Sequence, residues 1–141
     1  MTTYVVGFLF STDLKKVVLV EKNRPEWQAG LLNGVGGKVE QGESPLEAMI
    51  REFNEEAGAT ITQWKHYANM SHGDQFSIDV FATTGDLNQA STKTDEFIGI
   101  YELAEIQKLA TIENIPWLLL LAKDVLQDYR PDFVTVKYSK L

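Results

Sequence analysis

Residues 34 to 59 constrain this chain more than any other stretch. Ser44 is followed three residues later by Glu47, which makes a capping box, and Pro45 stands at the favoured first helical position. Leu46, Met49, Ile50, Phe53 and Ala57 then recur at helical spacing, and Gly58 supplies a stop. The spacing predicts a helix over 44–57 with one apolar face that needs a partner. On that helix Glu52, Glu55 and Glu56 fall at i, i+3 and i+4, within an arc of about 100°. The patch they form adjoins the apolar stripe without overlapping it. Three like charges this close raise one another's pKa unless a cation compensates. Taken alone, the trio reads as a solvated acidic face.

The flanking residues change that reading. The run Gly34-Val35-Gly36-Gly37 precedes the helix by a short loop, and such glycines let backbone groups come close to a ligand. Glu43 stands just before the N-cap, and Arg51 sits within the acidic face, where a guanidinium can orient carboxylates by paired hydrogen bonds. The full spacing is Gly37, five residues, Glu43, seven residues, Arg51-Glu52-Phe53-Asn54-Glu55-Glu56-Ala57-Gly58, then Ala59. It resembles the Nudix box, Gly-x5-Glu-x7-Arg-Glu-U-x-Glu-Glu-x-Gly-U, where U is a bulky aliphatic. All fixed positions match, an agreement that chance would give in roughly one window in 10⁸ at average residue usage. Phe53 and Ala59 depart from the aliphatic preference, and both are packing positions.

The resemblance implies a loop-helix-loop catalytic motif on an α/β/α sandwich, and hydrolysis of a nucleoside diphosphate linked to another moiety. It places divalent-metal ligands at Glu52, Glu55 and Glu56, with the Gly37 carbonyl as a further ligand. Glu96, in Thr94-Asp95-Glu96, resembles the extra acidic ligand many members carry beyond the box, against the alternative of an exposed turn acid. Hard oxygen donors suit Mg²⁺, with Mn²⁺ as a substitute. The chain has no cysteine, and its two histidines, His66 and His72, read as surface or strand residues. Among the catalytic candidates Glu52 is the first choice for general base and Glu56 the second. Glu43 and Arg51 are assigned to orienting the helix and its carboxylates.

Elsewhere, Tyr4 to Phe10 and Lys16 to Glu21 read as strands joined by a turn at Ser11-Thr12-Asp13. Lys22 to Asn33 reads as a long loop, in which Trp27 is either a hydrophobic plug, the favoured reading, or a wall of the substrate mouth. Thr60 to Tyr67 and Gln75 to Thr83 read as strands around a hairpin turn at Ser71 to Asp74, with a further strand at Phe97 to Glu102. Leu103 to Leu109 reads as a short helix, Asn114 to Asp128 as a longer one, and Phe133 to Tyr138 as a closing strand. The absence of a regular βαβ rhythm favours one domain with a mixed sheet, α+β or an α/β sandwich.

A formal net charge of −7 and a pI near 4.8 argue against stable nucleic-acid binding. They leave room for a small nucleotide, provided cations mediate the contact. No apolar run reaches membrane-spanning length, so a cytoplasmic protein, monomer or homodimer, is expected. The stretch Asn33 to Glu40 resembles the MutT-like, oxidised-purine triphosphatase branch, which implies substrate contacts at Asn33, Gly36 and Lys38. By position, base recognition before the last helix falls to Glu113 and Asn114, where animal oxidised-purine enzymes carry two aspartates; a plain helix cap is the alternative there. A nucleoside triphosphate is the expected substrate, with ADP-ribose or a nucleotide sugar as the alternative. A nucleotide-sensing module is a reading of another class, disfavoured because every box glutamate is kept.

Overall fold

The computed structural model describes residues 1–129 and 132–139. The chain opens with β1 (Thr2–Phe10) and β2 (Lys16–Glu21), whose β-branched and aromatic runs are buried on both faces. They are joined by a turn in which Ser11 Oγ donates to Asp13 Oδ1 at 2.7 Å. A 3₁₀ turn at Glu26–Gln28 leads to the short strands β3 (Leu32–Asn33) and β4 (Val35–Lys38), then to helix α1 (Pro45–Ala57). Strands β5 (Lys65–His72), β6 (Phe76–Thr84) and β7 (Ile98–Glu102) follow, then a 3₁₀ segment Leu103–Lys108, helix α2 (Ile115–Leu126) and strand β8 (Val134–Lys137).

The strands make one mixed sheet in the order β3-β2-β1-β6-β5-β8. β1 runs parallel to β6, and β5 parallel to β8, while the remaining pairings are antiparallel. β1 and β2 pair at Phe10 and Val17 and then part; β4 takes the vacated edge of β1, with Gly36 opposite Val6 and Gly37 opposite Val5. One sheet face packs α2 through Ile115, Leu118, Leu119, Ala122 and Val125; the other packs α1 through Ala48, Met49, Phe53 and Ala57. The result is the expected α/β/α sandwich. Burying a Leu, Ile, Phe or Met on either side contributes about 1.5–3 kcal/mol. Tyr67, wholly buried on β5, donates its hydroxyl to Leu118 O at 3.0 Å and so meets the hydrogen-bond need that burial creates.

Several boundaries differ from the sequence reading. The strand expected over Thr60 to Tyr67 begins only at Lys65. Ile61 and Trp64 instead pack on the α1 side, Trp64 tilted against Phe53 at 5.3 Å, so their apolar character covers a helix and joins no ladder. The hairpin turn accordingly tightens to 73–75, with Gly73 at φ 52°. β3 and β4 occupy part of the expected loops, because Gly36 lets β4 lie against the Val5 carbonyl where a Cβ would not fit. The buried face of α1 uses Ala48 in place of Leu46, which is 40% exposed. The short helix expected from Leu103 is present as a 3₁₀ segment ending at Lys108. No helix among the described residues is long and apolar enough to cross a membrane.

Candidate active site

The capping box at the start of α1 is formed in both directions, Glu47 N–H to Ser44 Oγ at 3.1 Å and Ser44 N–H to Glu47 Oε1 at 2.9 Å, and Gly58 closes the helix at φ 76°. The helix therefore starts and stops at defined points, which fixes the direction of its glutamates. β4 passes directly above them. A Cβ on Gly37 would stand 2.7 Å from the Glu52 carboxyl carbon and both its oxygens, so the carboxylate occupies space only glycine leaves open.

Arg51 is the hub of the charged residues. It donates to Glu43 twice, to Glu52 Oε1 at 2.8 Å, to Glu55 Oε2 at 3.3 Å and to the Lys38 carbonyl at 3.1 Å, with Glu40 at 3.6 Å. The hydrogen bond from Arg51 holds the Glu43 carboxyl below its usual range, and the same bond keeps Arg51 charged. Glu56 stands apart from this network. Its Oε2 is buried with no hydrogen-bond partner, and burial, then a hydrogen bond to Glu52, push its carboxyl up to about 8. Glu96 is 5% exposed, so it is no surface turn acid. Burial alone would raise its pKa, but Asn23 N–H at 2.7 Å, Lys22 Nζ at 3.0 Å and Arg24 N–H at 3.3 Å together hold it below the usual range. Sequence reasoning missed Lys22 and Asn23, which lie more than 70 positions from Glu96 along the chain.

Glu52 and Glu56 are thus brought together, whereas Glu55, with its side chain 56% exposed, turns onto Arg51, and Glu96 turns onto Lys22. As the side chains stand, no three Asp, Glu or His groups gather to hold an ion among the described residues. The donor set still fits a hard divalent cation. Glu56 Oε2 is an orphaned buried oxygen, its neighbour is a second carboxylate, and an ion would relieve both the repulsion and the missing contact.

A cavity of about 1000 Å³ adjoins β4, and none of Glu52, Glu55, Glu56 or Glu96 lines it. Lys22, Gly36 and Gly37 line its end nearest Glu52 and Glu96, and Asn33, Gln28, Glu113 and Asn114 line it elsewhere. Asn33 and Gly37 are four residues apart, a span of at most about 14 Å in extended chain. Asn114 does not cap α2 through its side chain; its Nδ2 is directed at Met70 Sδ, 3.6 Å away. Trp27 is 68% exposed at the cavity edge, so it is a wall of the mouth and not a plug. Its 3₁₀ turn buries nothing, which leaves it no core to fill. Lys38 is exposed and off the cavity lining; its carbonyl serves Arg51.

Residues 1–121 match the family model of the NUDIX domain. The methanol dehydrogenase activator of Bacillus methanolicus is 27% identical over 77% of this chain and 62% of its own length. The CTP pyrophosphohydrolase of Escherichia coli is 39% identical over 46% of this chain and 47% of its own length. The chain thus spans about half to three-fifths of the curated relatives it matches. Among solved structures, a MutT from work on Aliivibrio salmonicida and Vibrio cholerae superposes with a TM-score of 0.71 at 25% identity, over 86% of this chain and 96% of that one. The NUDIX domain of Shewanella oneidensis NrtR, solved with ADP ribose, superposes at 0.76 and 16% identity, over 88% of this chain and 87% of that one, a likeness of fold.

Proposed function

The chain belongs to the Nudix family, and on that premise we propose that it is a hydrolase that cleaves a nucleoside or deoxynucleoside triphosphate to the monophosphate and pyrophosphate. The observation that carries this reading is the Glu52–Glu56 carboxyl pair, with Glu52 packed against Gly37 of β4, a residue that also lines a cavity bearing side-chain amides. The name of the Escherichia coli relative, a CTP pyrophosphohydrolase, supports a triphosphate substrate. Retention of every box glutamate favours turnover over a sensing role.

Family members generally use divalent metals. Here Glu52 and Glu56 would hold Mg²⁺ or Mn²⁺, with the Gly37 carbonyl, Glu55 and Glu96 as further donors. The ion would supply charge neutralisation at the phosphates and a more acidic water. The remaining work falls to the chain itself. Arg51 fixes Glu52 through Oε1 and latches the loop to the helix through Glu43. Glu52, held through Oε1 by Arg51, is the first candidate to accept the proton of the attacking water and Glu56 the second, while Glu56 Oε2, buried without a hydrogen-bond partner, is the oxygen an ion would meet. Lys22 lines the cavity beside Glu96 and offers its ammonium to a phosphate oxygen. Asn33, Gly36, Glu113 and Asn114 line the same cavity and would contact the nucleoside.

Hydrolysis of a panel with Mg²⁺ tests the reading: canonical and oxidised nucleoside triphosphates, ADP-ribose, dinucleotides and nucleotide sugars. We expect pyrophosphate release from at least one triphosphate at the highest kcat/KM. Preference for ADP-ribose over every triphosphate would overturn the substrate and spare the carboxylate chemistry.

A further inference from the structure

Gln28 owes its orientation to a backbone group. The Gly34 N–H donates to Asn33 Oδ1 at 2.8 Å, and a backbone N–H can only donate, so the atom it meets is the oxygen. That leaves the Asn33 NH₂ facing Gln28 at 3.1 Å, so the atom of Gln28 it meets must also be an oxygen, Oε1. The Gln28 NH₂ is then turned away from the relay, and among the described residues it donates to no protein acceptor. Both side chains line the cavity. Each oxygen already accepts one hydrogen bond and is turned into the relay, whereas both hydrogens of Gln28 and the second hydrogen of Asn33 donate to nothing among the described residues, so the unmet need on this wall is for acceptors.

We propose that Gln28 is a specificity-determining residue that, with Asn33, selects nucleotides whose base carries two adjacent hydrogen-bond acceptors. This rests on the nucleotide reading of the cavity given above. Guanine (O6 and N7) and cytosine (O2 and N3) meet the requirement. Adenine sets its N6 amino group beside N7 and N1, and uracil sets N3–H between its carbonyls, so each would turn a donor toward a donor. Asn33 alone does not make this choice, because one of its hydrogens serves Gln28 and a single free hydrogen cannot meet two adjacent acceptors.

Gln28→Glu separates this role from a structural one. The substitution keeps an oxygen for Asn33 and changes only the outward group, from NH₂ to a second, charged oxygen. The experiment measures kcat and KM for GTP, CTP, ATP and UTP with Mg²⁺, together with binding of GMP, CMP, AMP and UMP by calorimetry in EDTA. Wild type should favour a guanine or cytosine nucleotide over adenine and uracil by about tenfold or more. Gln28→Glu should abolish that preference through KM and Kd, with kcat within threefold of wild type and the thermal midpoint unchanged. An equal preference in both proteins, or none in wild type, overturns the proposal. A chain that hydrolyses none of the four, yet binds GMP or CMP selectively until Gln28 is changed, sinks the cleavage reading and sustains this one.

Discussion

Arg51 grips Glu43 through two parallel hydrogen bonds, Nε to Oε2 at 2.7 Å and Nη2 to Oε1 at 2.9 Å, which fastens the loop ahead of α1 to the middle of that helix. The fork matters more than the charge. Arg51→Lys keeps the charge, loses the paired geometry and releases Glu52 Oε1. Urea denaturation should show a loss of about 1–2 kcal/mol, with a fall in kcat larger than the change in KM. A variant within 0.5 kcal/mol of wild type, roughly the scatter of surface substitutions, would mean that the latch contributes little.

Glu56→Gln should leave the fold intact and remove most turnover, about a hundredfold or more, since the amide cannot take a proton. Circular dichroism and initial rates check the two halves separately. A folded variant with near-normal hydrolysis would sink the assignment of the site.

The metal-free protein should lose stability as pH rises. The carboxyl of Glu56 sits near 8 in the folded state against 4.5 in its ordinary state, so folding favours the protonated form. Its stabilising contribution is complete below pH 4.5 and is lost progressively as pH climbs through 8. Chemical denaturation in EDTA across that window should show the decline, Glu56→Gln should flatten it, and Mg²⁺ should oppose it. A profile that instead rises between pH 5 and 8 in both proteins would contradict the burial of this carboxyl beside Glu52.

Gly37→Ala adds one methyl at the position held by the Glu52 carboxylate. Either the side chain or β4 must shift, at a cost of about 1–3 kcal/mol. Mg²⁺ affinity, followed by titration, should weaken as Glu52 is displaced. Unchanged stability and affinity would show that Glu52 relaxes freely.

What could be read from the sequence was what neighbours decide. Ser44, Glu47 and Gly58 specify the ends of α1 through bonds spanning a single turn, and the glutamate spacing follows from the helix. Glu43 and Arg51, eight positions apart, meet through paired hydrogen bonds. Residues that act through tertiary packing were not legible. Ile61 and Trp64 carry strand-like side chains but pack on the α1 side, Trp64 against Phe53, and Val35 to Lys38 carry strand-poor glycines but pair with β1. The Glu55 carboxylate leaves the other two because Arg51 competes for it, a contest that helical geometry alone does not reveal.

The cavity draws its wall from Tyr4, Asn33, Ile78, Asn114 and Tyr138, which span nearly the whole described chain. Contacts of such sequence separation form late, after the loops between them have closed. No partly assembled state offers the complete cavity, so a nucleotide bound there as proposed can stabilise only the finished protein. Its effect will fall on the lifetime of the folded chain, slowing unfolding while leaving the refolding rate where it was.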